Sequence, residues 1–395
     1  MINRLGYRKS GEYHLTKKGD DGRSYFTFVP HPLSDDLDIE VDAELANLMS
    51  TANRLLGQLE GMSSFLPNLQ AIESVFMRNE ALLSCRIDGI EVPLYNVYDV
   101  TEKEQLKTRS IHNYISAMGY GLEQIATSKY SNALLCKIHN KLISSGIDKS
   151  SGQFRKEQVF IGKLAVVTNV EQYIPTSPLY LNSAMRDLEG FIQGKDSYDA
   201  IIKAALAHYQ FETIHPFMTG NGRIGRILSY LILSGMKVLT CPILCISQYL
   251  YANKVEYIDR MERLHQIYKY EQWIKFFIQA IIFAAADSAE RIKKWLIIRE
   301  ATHKKIIGCG KTIKAIDKTL DVIELYPIID VNTLAEKNGI SYNTAAATLK
   351  LLCDLGILKQ SNRLERNRDY ANAEFLKCFV GDISFNEGIE YGQIY

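Results

Sequence analysis

The chain has 395 residues, 47% of them hydrophobic and 23% charged, with 46 Lys and Arg against 45 Asp and Glu for a formal net charge of +1. That length allows two or three cored domains, and the charge balance argues against a nucleic-acid coat or a polybasic membrane binder as the main role. The N-terminus has no apolar core of signal-peptide length, and no run reaches the ~18 apolar residues of a spanning helix, so the expectation is a cytoplasmic protein with no membrane partner. Seven scattered cysteines, an odd number, imply reduced thiols rather than a disulfide framework. Cys241 and Cys245 have ligand-like spacing but lack the nearby histidine or second cysteine pair that zinc requires.

In chain order, the N-terminal segment to about residue 35 reads as an irregular or strand-like lead-in whose one β-rich patch is Tyr25-Phe26-Thr27-Phe28-Val29. From Glu40 to Phe283 helical spacing dominates, as in Leu45, Leu48, Met49 and Ala52, and again in Ile115, Met118, Leu122 and Ile125. The fold class is mainly α, a helical bundle with one interruption. Between Gln153 and Pro178 the runs Gln158-Val159-Phe160-Ile161, Leu164-Ala165-Val166-Val167-Thr168 and Tyr173-Ile174 are separated by Gly162-Lys163 and Asn169, which predicts a β-hairpin. An amphipathic segment from Ala284 to about Arg299 leads to a change of composition at Gly308-Cys309-Gly310. Beyond it, helical patterns at Ile316 to Leu325, Val331 to Lys337 and Tyr342 to Leu355 precede two short strand candidates at Gly356-Ile357-Leu358-Lys359 and Asp369-Tyr370. Ser341 is the N-cap candidate of the third helix, and the whole reads as a small winged helix-turn-helix.

The densest chemistry lies in His215-Pro216-Phe217-Met218-Thr219-Gly220-Asn221-Gly222-Arg223-Ile224-Gly225-Arg226. Pro216 ends the helix running up to Ile214, which puts His215 at a helix-to-loop junction. Gly220-Asn221-Gly222 can turn successive N–H groups inward as an anion-binding nest, and a helix starting near Arg223 adds its positive end. Arg223 and Arg226 share one face of its first turn, an arrangement suited to a polyphosphate. A histidine titrating near neutrality can take a proton from an attacking hydroxyl beside such a site.

This stretch resembles the signature of the Fic family, His-x-Phe-x-(Asp/Glu)-Gly-Asn-Gly-Arg-x-x-Arg, at every fixed position but one. The resemblance implies transfer of AMP from ATP to a Ser, Thr or Tyr hydroxyl of a target protein, its own included. His215 is then the general base, Phe217 a core residue, and Gly220, Asn221 and Gly222 the phosphate cradle. Arg223 neutralises the α/β region and Arg226 holds the γ-phosphate. Thr219 stands where the family has its acidic Mg²⁺ ligand; its hydroxyl can ligate the ion but brings no negative charge.

Upstream, Ser84-Cys85-Arg86-Ile87-Asp88-Gly89 resembles the family's inhibitory motif, (Ser/Thr)-x-x-x-Glu-(Gly/Asn), with Asp88 in place of the glutamate. The resemblance implies that Asp88 pairs with Arg226 and blocks the seat of the γ-phosphate. It also makes the hairpin, through Phe160, Ile161, Gly162 and Tyr173, a flap that docks an extended target segment, and places Tyr257 in the adenine pocket. Thr176 stands where relatives often carry a second proline. The implied domains are an N-terminal region with the inhibitory helix over residues 1–105, a catalytic core over 106–300 and a winged helix over 306–380. From Lys337 to Arg368 six Lys or Arg face two Asp or Glu, whereas Ile306 to Tyr395 carries ten against twelve, so the basic surface is local to Lys350, Lys359, Arg363, Arg366 and Arg368. DNA is one partner such a wing could take, protein docking or a homodimer another. The residues leave two alternatives to the transferase: a DNA-binding regulator with a silenced core, and a hydrolase in which Asp88 orients water to remove AMP.

Overall fold

The helical spacing of the sequence is realised in a computed structural model that describes residues 10–16, 24–33, 37, 39–98, 106–143, 150–161, 173–194, 198–266, 269–308, 313–360 and 368–380. Strands β1 (Gly11–Thr16) and β2 (Tyr25–Pro30) precede α1 (Ala43–Ser63), α2 (Leu69–Ile87), α3 (Leu94–Tyr98), α4 (Leu106–Thr127) and α5 (Asn132–Leu142). Then come α6 (Pro178–Gln193), α7 (Ala200–Ile214), α8 (Asn221–Gly235), α9 (Ile246–Ala252), α10 (Lys254–Gln266) and the long α11 (Tyr270–Ile307). The C-terminal region adds α12 (Ile313–Leu325), β3 (Ile328–Ile329), α13 (Val331–Asn338), α14 (Tyr342–Asp354), β4 (Lys359–Gln360), β5 (Tyr370–Ala371) and α15 (Ala373–Val380). The chain divides into two compact units, one of residues 1–57, 112–240 and 249–283, the other of residues 58–111, 241–248 and 284–395. This cut differs from the expected division into three domains, because the C-terminal elements fall in the same unit as α2.

The first unit is built around α7, whose residues are all buried. Its sequence is apolar around most of its circumference, as a central helix requires. Helices α6 and α8 and strand β2 pack against it. Two of its buried side chains reach neighbouring backbone: Lys203 Nζ donates to the Gly194 carbonyl at 3.0 Å and Gln210 Nε2 to that of His31 at 2.8 Å. Strand β2 confirms the β-rich patch, while its antiparallel partner β1, from Gly11↔Pro30 to Thr16↔Tyr25, was not legible as a strand. Of the expected hairpin, an antiparallel bridge joins Ile161 to Tyr173; Gly162 and the rest of residues 162–172 lie outside the described residues.

In the second unit α2 packs against α3, α12 and α15. Strands β3, β5 and β4 form an antiparallel sheet in that order, and α12, α13 and α14 close over a core of Leu320, Ile323, Leu334, Leu349, Leu352 and Ile357. Ser341 Oγ accepts from Thr344 N–H at 3.2 Å and caps α14 as its sequence suggested; Asp330 caps α13 in the same way. Lys350, Lys359 and Arg368 are exposed, whereas Arg363 and Arg366 lie outside the described residues.

Candidate active site

His215 ends α7 in the left-handed conformation, φ 53°, ψ 62°, with its N–H on the Phe211 carbonyl at 2.9 Å. The proline that follows disfavours a further right-handed helical residue, and histidine tolerates the left-handed region better than most side chains. Its Nδ1 lies 3.3 Å from the Glu212 carbonyl oxygen, which can only accept. A neutral imidazole donating to this carbonyl through Nδ1 would present Nε2 as its basic atom. The Glu212 carboxylate, 3.9 Å from Nδ1, would stabilise the imidazolium that forms when Nε2 takes a proton. The imidazole is partly open, with a side-chain exposure of 21%.

The loop after His215 is fixed by three side chains. Phe217 is fully buried, stacked on the His139 ring at 3.8 Å, as expected of a core residue. Asn221 Oδ1 accepts from the Phe217 N–H at 2.8 Å and its Nδ2 donates to the Phe217 carbonyl at 2.8 Å. The Asn221 side chain thus holds the loop, and its N–H is the group that could serve the expected cradle. His139 accepts from the Gly152 N–H through Nδ1 at 2.9 Å, so its Nε2 donates to the Thr219 carbonyl at 3.0 Å.

Helix α8 starts at Asn221, two residues earlier than expected, so Asn221, Gly222 and Arg223 supply its first turn of N–H groups. Gly220, at φ 76°, is the left-handed N-cap; a Cβ there would also come within 3.0 Å of Ile143 Cδ1 and 3.4 Å of Arg223 Nη2. The Arg223 guanidinium thus lies against the turn, where an anion on the helix N-terminus would meet it. Arg226 is buried one turn on, at 2% exposure. At Gly225 a Cβ would come within 2.5 Å of Glu212 Oε1, so glycine is what lets the carboxylate of α7 lie against α8.

Two tyrosine side chains are committed within the body. Tyr257 is not available to a nucleobase: it is buried, its hydroxyl is 2.8 Å from His208 Nε2, and its ring neighbours Trp273 and Phe276. His208 is itself held by the Gly225 carbonyl at 3.0 Å, and burial pushes it down to about 3. Tyr173 pairs with Ile161 through its backbone and turns its side chain into the body. Its hydroxyl donates to the Thr213 carbonyl at 2.8 Å, its ring stacks on His265 at 4.5 Å, and burial raises its hydroxyl well above the ordinary tyrosine range. Phe160 is exposed, with its ring against Tyr25.

Thr219 is exposed. Among the described residues no group of three or more His, Cys, Asp or Glu side chains is placed to hold a metal. One neutral hydroxyl does not fit a resident Mg²⁺, which prefers carboxylate oxygen.

The residues that resemble the inhibitory motif belong to the second unit. Ser84 is fully buried within α2, Asp88 is its C-cap, and Gly89 follows at φ 80°. Ile90 N–H donates to the Cys85 carbonyl at 2.9 Å, closing a Schellman turn that ends the helix at the acid.

Three residues at the site escaped the sequence reading. Arg155, buried at 4% exposure, donates through Nε to the His215 carbonyl at 2.8 Å. His139 holds Thr219, and Glu212 faces His215. The partners of Arg155 and His139 lie 60 and 80 residues away, so no local pattern marks them. Glu212, three residues before His215 on the same helix, carried an i,i+3 signal that could have been used.

Residues 129–233 match the Fic/DOC family and residues 46–123 match the Fic/DOC family N-terminal region. Protein adenylyltransferase fic-1 of Caenorhabditis elegans is 28% identical over 113 residues, 28% of this chain and 20% of the relative. Protein adenylyltransferase Fic of Culex quinquefasciatus is 29% identical over 160 residues, 37% of this chain and 29% of the relative. The chain thus spans under a third of the length of these relatives. Among solved structures, a Fic family protein from Desulfovibrio desulfuricans G20 shares the fold with a TM-score of 0.55 at 17% identity, covering 84% of this chain and 97% of the other.

Proposed function

We propose, from the match of residues 129–233 to the Fic/DOC family and of residues 46–123 to that family's N-terminal region, that the chain transfers AMP from ATP to a hydroxyl side chain of a protein. The observation that carries the reading is one juxtaposition: a histidine whose Nδ1 meets a carbonyl, which would leave Nε2 as base, and a helix N-terminus overlain by a buried arginine. The acceptor oxygen attacks the α-phosphorus while Nε2 of His215 takes its proton. The bond from the α-phosphorus to the bridging oxygen breaks, and pyrophosphate leaves. The N–H groups of Asn221, Gly222 and Arg223, with the Arg223 guanidinium, would offset charge on the transferring and leaving oxygens. Arg226 would bind the terminal phosphate.

Asp88 is the brake in this reading, competing with that phosphate for Arg226. The match of residues 46–123 to the family's N-terminal region, together with the placement of Asp88 at a helix end, supports it. Magnesium would arrive on the nucleotide rather than wait in the protein. The target is a protein hydroxyl, and the chain itself is the first acceptor to try.

The test is incubation with ATP labelled at the α or the γ position. Transfer of α label but not γ label to protein, abolished by His215→Ala, is the expected result. Transfer of γ label would make the protein a kinase, and no transfer to the chain or to added protein would refute the proposal.

A further inference from the structure

A helix of this length leaves its last carbonyls without intrahelical donors, and α7 has no basic residue in its own last turn. Tyr173 and His215 itself serve the Thr213 and Glu212 carbonyls, and Arg155 serves Ile214 and the two residues beyond it. The Arg155 backbone N–H donates to the Pro216 carbonyl at 2.9 Å, Nε to His215 at 2.8 Å, and Nη2 to Ile214 at 3.4 Å. The same guanidinium reaches both ends of the hairpin: Nη1 donates to the Glu157 carbonyl at 2.9 Å and Nη2 to that of Thr176. A planar fork with five donors can serve two such groups of carbonyls at once; an ammonium cannot. Burial pulls the group down to about 10, so it stays charged at neutral pH.

The root of the hairpin is also tied within itself and to β2. Gln158 Nε2 donates to the Val159 and Pro175 carbonyls at 3.0 Å each, and Phe28 N–H of β2 donates to Ile174 at 3.1 Å. Thr176 Oγ1 donates to the Phe28 carbonyl at 3.0 Å, a bond the second proline of relatives could not make. Through Arg155 this root and the backbone of His215 become one rigid piece. The nucleotide side is held separately, by Asn221 on Phe217 and by His139 on Thr219.

We propose that Arg155 is a positioning residue that locks the flap root to His215, and so fixes where an acceptor hydroxyl meets the base. This rests on the transfer reading above. Misplacement of an acceptor by about 1 Å costs ~100-fold in rate. The Arg155→Lys protein, compared with its parent in the Asp88→Gly background, should therefore lose about 100-fold in kcat for transfer of α label to the chain itself. KM for ATP should stay within about twofold, because uniform nucleotide binding is untouched.

An unchanged kcat in a folded Arg155→Lys protein would overturn the proposal. So would a proportional loss of ATP affinity, which would mark a general structural role. A silent Asp88→Gly parent would instead count against the transfer reading. Hydrogen exchange on the wild-type chain decides the linkage without any variant or activity. The amides of Ile161, Arg155 and His215 should open as one cooperative unit with matching protection, and an Ile161 amide exchanging far faster than that of His215 would contradict the lock.

Discussion

Asn221 combines a place in the signature with a side chain that holds the loop. Both of its polar atoms are bonded to Phe217, in a site where it is almost fully buried. Asn221→Ala leaves the Phe217 N–H and carbonyl unpaired and should cost about 2–4 kcal/mol. Thermal melting would measure it, with weakened nucleotide binding as the functional consequence. Thr219 leads to an opposite prediction, a gain. Thr219→Asp supplies the charge that the hydroxyl lacks, and the Mg²⁺ concentration for half-maximal transfer should fall about tenfold, a difference of ~1.4 kcal/mol. A metal titration of both proteins checks this.

At the scale of elements, most of what forms locally was legible. Pro216 marked the end of α7 and Ser341 the start of α14. What escaped depends on distant partners. Strand β1 is a strand because β2 pairs with it, and Tyr257 and Tyr173 look like surface aromatics until His208 and Thr213 claim their hydroxyls. The setting of α2 is also non-local. Asn68 caps it and donates to Glu324 Oε2 at 2.9 Å, while Trp295 Nε1 donates to Glu324 Oε1 at 3.1 Å. Arg299 completes the pair, although burial still raises the Glu324 carboxyl above its ordinary range. Removing one partner of a buried ion pair costs about 3–5 kcal/mol, so Glu324→Ala should loosen the start of α2 and speed hydrogen exchange there before α7 is affected. Equal protection of α2 in both proteins would contradict that link.

For the whole molecule, the buried histidines set a pH dependence of stability. Burial lowers His208 to about 3 and His265 to about 4 from an ordinary 6.5. The unfolded chain therefore binds protons below pH 6.5 that the folded chain refuses, and stability present above that pH is lost as the pH falls towards 4. Each histidine contributes a slope of up to ~1.4 kcal/mol per pH unit in that window. Melting curves should show the decline, and His265→Gln should flatten it; an unchanged slope would contradict the assignment. In the proposed function His215 is the base, the start of α8 the phosphate cradle and Asp88 the brake. The most direct test is the initial rate of α-label incorporation from ATP in three proteins: the wild type, Asp88→Gly, and Asp88→Gly combined with His215→Ala. The account predicts a rate several-fold higher in Asp88→Gly than in the wild type and none in the double variant. An Asp88→Gly rate no higher than wild type, or label that persists without His215, would contradict it.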